Sequence, residues 1–275
     1  MNACTNLVNG QTTFASQHVK GNLFYRGLLL RAPVFVGDTL TTTTKVVGLR
    51  QNKSKAGRDA TGMVALEMET VNQHGVRVMQ YWRCPMIACR DRAAETGRND
   101  SFDWIPEGLS AAQLDEALPA QWKVAAMAPD AYQVPAPHLA VGDRVVVGPQ
   151  DTVTTAPELV RLTGNIALTH TDASRSYLGK RLVYGGHTIS LVLAQITRAL
   201  PNMVTLIGWQ GCEHTGPVLE EDIIRTEFSV TSAAPVAGGG RLLELHALAY
   251  AKRAQAGGGY EESAVLDWRL VVWSL

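Results

Sequence analysis

The stretch "RLVYGGHTISLVLAQITRAL", residues 181–200, decides the fold. Gly185 and Gly186 lead into a run where Ile189, Val192, Leu193, Ile196 and Leu200 recur at helical spacing. Leu191, Ala194 and Ala199 fill most of the opposite face. The spacing predicts a helix from about His187 to Leu200, apolar nearly all round and therefore buried nearly all round. Pro201 ends it.

What surrounds the helix is β-strand. Pro33, Val34, Asp38, Leu40 and Thr42 recur as Pro217, Val218, Asp222, Ile224 and Thr226, each 184 residues later (217 − 33 = 184). Pro breaks pairing where a strand begins, Asp marks a turn, and the alternating Thr, Val, Ile and Phe that follow suit a half-buried strand. The first copy continues into two long strands around "NQHG", the second into two around "AQAGGG". One long buried helix wrapped by a curved antiparallel sheet is a hotdog; two copies make an α+β double hotdog. The expected organisation is an N-terminal hotdog at 1–87, a polar linker at 88–138 with one helix at "SAAQLDEAL" capped by Ser110, and a C-terminal hotdog at 139–275. Subtracting 184 from Gly185 gives Met1, and "NACTNLVNGQTTFASQ" is a poor helix former. The first hotdog is therefore expected to be reduced, or to start downstream of a longer natural beginning.

Composition narrows the classes of function. Formal net charge is zero, which argues against a partner held by phosphate neutralisation, so no nucleic acid is expected. The first residues lack an apolar run with basic flanks and no stretch approaches a membrane span. A cytoplasmic protein off the membrane is expected. Cys4, Cys84, Cys89 and Cys212 lack metal spacing and read as reduced thiols. No short ligand spacing joins His170, His187 and His214, so no metal is expected.

The chemistry concentrates in "RLTGNIALTH", residues 161–170, after a short helix that Pro157 suits as its first residue. Gly164, Asn165 and His170 resemble the Gly-Asp-x-x-x-x-His turn of the MaoC-like hotdog hydratases, which include the (R)-specific enoyl-CoA hydratases. In that family a His-Gly pair then opens the central helix, and Gly185 and Gly186 fall on that pattern. The resemblance spans both halves. "NIALTHTD…GKRLVYGGHTIS" and "GNLFYRGLLLRAPVFVGDTL" look closest to the mesaconyl-CoA hydratase (β-methylmalyl-CoA dehydratase) branch.

The resemblance implies reversible addition of water across the C2–C3 double bond of an enoyl-CoA, with the CoA thioester as substrate and no further cofactor. His170 is then the general acid/base, because imidazole titrates near pH 7. The Gly186 N–H at the helix tip is the oxyanion donor, inside a favourable dipole. Asn165 stands where the family has Asp. It can hold a water but cannot accept its proton. Tyr184, Gly185, His187 and Trp209, with Tyr25 and Arg31 from the first half, are the expected substrate contacts. Asp172 reads as a solvated turn carboxylate. A branched or dicarboxylic acyl group would need a deep cation, and Arg161, Arg175 and Arg181 are near in sequence. A homodimer or larger homo-oligomer is expected, since exposed sheet edges pair.

Two other functions stay open at this point. A hotdog acyl-CoA thioesterase needs a carboxylate on the central helix, and residues 187–200 contain no Asp or Glu. A catalytically weakened acyl-CoA-binding protein is compatible with Asn165.

Overall fold

Among the described residues ten strands form one antiparallel sheet. The computed structural model describes residues 15–53, 56–126 and 137–275. The first half supplies β1 (Val19–Leu30), β2 (Thr41–Gln51), β3 (Thr61–Val71) and β4 (Arg77–Ala88). Then follow α1 (Ala111–Glu116), β5 (Arg144–Val146), β6 (Asp151–Thr152), α2 (Ala156–Leu162) and α3 (Leu168–Thr171). The central helix α4 (Gly185–Ala199) leads into β7 (Met203–Glu213), β8 (Ile223–Pro235), β9 (Arg241–Ala254) and β10 (Tyr260–Ser274). The strands lie in the order β2-β3-β4-β1-β7-β10-β9-β8-β5, with β6 also paired to β8.

The 184-residue repeat is visible in the backbone. Adding 184 to the start of β1 at Val19 gives Met203, where β7 starts; adding it to Arg77 of β4 gives Glu261, within β10. The two Asp turns use the same pair of hydrogen bonds. Asp38 Oδ2 accepts from Phe35 N at 2.8 Å, and Asp38 N donates to Phe35 O at 3.0 Å. Asp222 Oδ2 accepts from Leu219 N at 2.8 Å, and Asp222 N donates to Leu219 O at 3.2 Å. Such a side chain closing its own turn is what Asp does best. The halves join where β1 pairs with β7 (Tyr25↔Cys212, Leu28↔Trp209), so the sheet runs continuously as a double hotdog. The position of a first-half central helix falls on residues 1–15 (185 − 184 = 1, 199 − 184 = 15), all but the last of them outside the described ones.

Helix α4 lies against the sheet through Ile189, Val192 and Ile196, which share a core with Phe228, Leu245, Ala247, Trp268 and Leu270. The expectation of burial all round is corrected. Ala194, Thr197 and Arg198 are exposed and Leu191 and Leu193 only half-buried, because the sheet covers one side of the helix. The inner face also carries a polar residue: Gln195 Nε2 donates to Asp151 Oδ2 at 2.7 Å and to Ile224 O at 2.9 Å, which pairs the donor end of a buried amide.

The polar linker docks on the sheet. Ser110 caps α1 in a capping box with Gln113. Trp122 then stacks on Trp273, ring centroids 6.3 Å apart and nearly parallel, above Leu29, Ile207 and Val271. Such a pair contributes about 1 kcal/mol beyond its buried area. This second core covers the sheet where the two halves meet. Cys84, Cys89 and Cys212 are free thiols, while Cys4 lies outside the described residues. No helix among the described residues is long and apolar enough to cross a membrane.

Candidate active site

Helix α2 ends in a motif that requires glycine. Gly164 takes φ 64, donates to Arg161 O at 3.2 Å, and lets Asn165 N donate to Val160 O at 3.0 Å. These are the two bonds of a Schellman cap, whose left-handed residue is most often Gly. Asn165 Oδ1 next accepts from Ala167 N at 2.9 Å, turning the chain into the single turn of α3 that carries His170. The His turn is latched to the approach of the central helix twice. Leu182 N donates to Thr169 O at 2.9 Å, and His170 Nδ1 lies 2.7 Å from Leu182 O. A carbonyl oxygen only accepts, so Nδ1 carries the proton and Nε2 keeps its lone pair.

Tyr184 is the N-cap of α4 and makes no side-chain capping bond to the first turn. The free N–H groups of that turn give the helix its positive end. Gly185 opens the helix against His214: a Cβ at this position would run into the imidazole Nε2, with Cε1 at 2.8 Å and Cδ2 at 3.1 Å. Only hydrogen in place of a side chain lets the ring sit there.

These groups meet in a cavity of about 920 Å³ lined by both halves. The second half contributes Asn165, His170, Tyr184, Gly185, Thr188 and His214; the first contributes Lys20, Asn22, Tyr25, Arg58 and Arg83. The His170 and Tyr184 rings lie 5.7 Å apart, and those of Tyr25 and His214 6.2 Å. Burial lowers the pKa of His170, opposed by its bond to Leu182. Burial, reinforced by the charge His170 would carry, takes His214 from 6.5 down to about 4. Both imidazoles are therefore held neutral near pH 7. Burial raises the Tyr25 phenol well above its ordinary value. No group of three or more His, Cys, Asp or Glu side chains capable of holding a metal occurs among the described residues.

Asn165, His170, Tyr184, Gly185 and Tyr25, all picked from sequence, line this one cavity. Gly186 is buried one step into the helix, without lining the cavity. Three expected contacts lie outside the cavity lining. His187 is buried in α4 outside the cavity lining, because the helix turns it inward. Trp209 is fully buried; its ring packs edge-on against Trp268 at 5.3 Å and lies behind Tyr25 at 6.4 Å. Arg31 lies past the end of β1, roughly 20 Å along the strand from Tyr25 at ~3.3 Å per residue. Its guanidinium contacts Gln80 at 3.3 Å and Glu116 at 3.6 Å. Arg161 pairs with Glu158 and Arg181 with Glu220, and Arg175 does not line the cavity. Asp172 is exposed and closes its own turn by accepting from Ser174 N at 2.9 Å. The sequence reading missed His214 and Arg83 as cavity residues. Arg83 could have been found from strand pairing, since it sits opposite Tyr25 on β4.

Comparison with known proteins agrees with this architecture. Residues 8–81 match the family model described as the FAS1-like, dehydratase domain region. The chain is 31% identical to the mesaconyl-CoA hydratase of Cereibacter sphaeroides, over 85% of this chain and 68% of that protein. It is 29% identical to the beta-methylmalyl-CoA dehydratase of Chloroflexus aurantiacus, over 91% of this chain and 74% of that protein. Among solved structures, a conserved hypothetical double-hotdog protein of Mycobacterium tuberculosis superposes with TM-score 0.82 at 39% identity, covering 100% of this chain and 81% of that one. A MaoC domain protein from Chloroflexus aurantiacus gives TM-score 0.75 at 28% identity, covering 99% and 81%. The chain belongs to the MaoC-like hydratase and dehydratase family of double-hotdog proteins, and it is a hydro-lyase.

Proposed function

We propose that the protein catalyses reversible hydration of a 2-enoyl-CoA thioester in the cavity between its two halves. The observation that carries this reading is the fixed tautomer of His170. With Nδ1–H committed to Leu182 O, the Nε2 lone pair remains to take a proton, in the cavity that Gly185 reaches at the head of α4. In the hydration direction Nε2 takes a proton from water, and the hydroxide oxygen bonds to C3. The C2–C3 π pair moves to an enolate on the thioester oxygen, which the N–H of Gly185 at the head of α4 stabilises. The imidazolium then returns its proton to C2. One O–H bond breaks, and one C–O and one C–H bond form. Positioned proton transfer is worth about 10²–10⁴-fold, and oxyanion donors contribute on the order of 10²–10³-fold each.

Asn165 spends one carbonyl lone pair on Ala167 N, leaving its amide hydrogens to orient the water. His214, held neutral in the same cavity, serves as a polar contact for the reacting end of the acyl group. A branched or dicarboxylic acyl chain such as mesaconyl is favoured by the names of the two relatives.

The test follows the conjugated-thioester absorbance of straight and branched 2-enoyl-CoA esters together with free thiol. Loss of absorbance without thiol release is the expected result. Thiol release would make the protein a thioesterase, and no change with any ester would make it a binding protein.

A further inference from the structure

We infer that the imidazole of His214 is a second donor to the thioester oxygen, acting through its Nε2–H beside the Gly185 N–H. The inference rests on the acyl-thioester reading above and deepens it by giving the two cavity histidines opposite tautomers and opposite tasks. His214 lines the cavity, and its Nε2 is the atom nearest to a Cβ built on Gly185, nearer than Cε1 at 2.8 Å. A Cβ is two bonds, about 2.5 Å, from its own amide nitrogen, so Gly185 N and His214 Nε2 stand within roughly 5.3 Å of each other. Two donors that share one oxygen at about 2.9 Å each, at an angle of ~110–120°, are about 5 Å apart. The bound on the pair therefore admits one oxygen between them.

Nε2 is buried and has no hydrogen-bond partner. The missing partner selects the tautomer. A lone pair at the positive end of a helix would draw a first-turn N–H, and this nitrogen receives none. An N–H there has no acceptor within the protein, which costs free energy until a ligand oxygen arrives. Burial and the nearby His170 keep the ring uncharged near pH 7, and a neutral imidazole at a helix N-terminus can polarise a carbonyl. The Tyr25 ring, edge-on with centroids 6.2 Å apart, backs the imidazole in that place. The His214 proton stays on nitrogen throughout. His214 stabilises the enolate, while His170, protonated on Nδ1, moves the proton between water and C2.

Imidazole ¹⁵N NMR of the wild-type protein reads the tautomer directly, with the His214 signals assigned by their absence from His214→Gln. The expected result is a proton on His214 Nε2 that moves downfield when butyryl-CoA, which cannot be hydrated, saturates the site. A proton on Nδ1 instead, or an Nε2 proton that butyryl-CoA leaves unmoved, would overturn the inference. Kinetics give a second readout. His214→Leu should lower kcat for crotonyl-CoA by about 10²-fold with KM changed less than about threefold, and His214→Gln, whose amide N–H replaces the donor, should recover at least about tenfold. Wild-type kcat in His214→Leu would also overturn it, as would equal losses in the two variants, which would give the ring a packing role. Calorimetric binding of butyryl-CoA checks that each variant folds, and the wild-type spectra decide the matter where His214→Leu does not fold. Because those spectra need no turnover, their outcome is separate from that of the hydration assay. A responsive Nε2 proton in a protein that hydrates no ester would keep the donor and remove the lyase reading, and hydration with an unresponsive ring would do the reverse.

Discussion

Gly185→Ala is the substitution on which the structure makes its sharpest demand. The new Cβ would overlap His214 Nε2, with Cε1 at 2.8 Å and Cδ2 at 3.1 Å. Gly185 is not among the glycines with positive φ, so the backbone accepts alanine and the whole effect is side-chain contact. The imidazole cannot retreat easily, because the Tyr25 ring stands against it at 6.2 Å between centroids. Overpacking of this kind costs ~1–3 kcal/mol, while alanine in place of glycine in a helix returns up to ~1 kcal/mol. The net loss of stability is therefore at most about 3 kcal/mol, or roughly 6 °C in Tm for a chain of this size. Activity should suffer much more. A displacement of about 1 Å at a site group can cost on the order of 10²-fold, so kcat/KM for crotonyl-CoA should fall by about that factor. The assay pairs thermal melting with hydration rates for Gly185→Ala, His214→Ala and the double variant. Removing the ring removes the clash, so the double variant should be more stable than the sum of the singles by at least ~1 kcal/mol. A Gly185→Ala protein with wild-type kcat/KM and an unchanged or higher Tm would refute the placement of His214 beside the helix tip.

Three further expectations follow from the same geometry. His214 takes up a proton at 6.5 when unfolded but only near 4 when folded, so stability is full above 6.5 and falls as pH drops through 4. The difference, (6.5 − 4) × ~1.36, amounts to about 3 kcal/mol; His214→Gln should flatten the fall of Tm between these pH values, and an unchanged slope would contradict the buried neutral ring. Arg31→Ala should leave kcat/KM unchanged and cost less than ~1 kcal/mol, because its ion pair with Glu116 is long and that partner is 73% exposed; a large rise in KM would return Arg31 to the substrate. Asn165→Asp should keep the turn, since a carboxylate oxygen accepts the same Ala167 N–H, and should raise the hydration rate by adding a proton acceptor. A slower enzyme would show that the amide hydrogens of Asn165 matter more than basicity.

Features written in local chemistry were readable from sequence. The Pro and Asp offsets marked two equivalent turns, and both turns close with the same hydrogen bonds at Asp38 and Asp222. The turn at Gly164, Asn165 and His170 was legible because a Schellman glycine and a turn amide have fixed places relative to the helix they end. What depends on sheet register was not readable. Arg83 enters the cavity only because β4 pairs with β1 opposite Tyr25, a contact 58 residues away in the chain (83 − 25 = 58). Arg31 looked equally suitable by composition, yet its place beyond β1 hands it to Gln80 and Glu116. His187 and Trp209 are buried outside the cavity lining for the same reason: nothing local says which face of α4 or β7 turns inward. Helix α4 was read as buried all round because its alanines and leucines are apolar, while burial depends on how far the sheet curves around it.

The most direct test of the account measures His170→Ala against 2-enoyl-CoA esters, with butyryl-CoA binding and thermal melting as controls for the fold. The account predicts that hydration is lost while the melting temperature and ligand affinity stay near those of the wild type. A well-folded His170→Ala protein that hydrates these esters at the wild-type rate would contradict it.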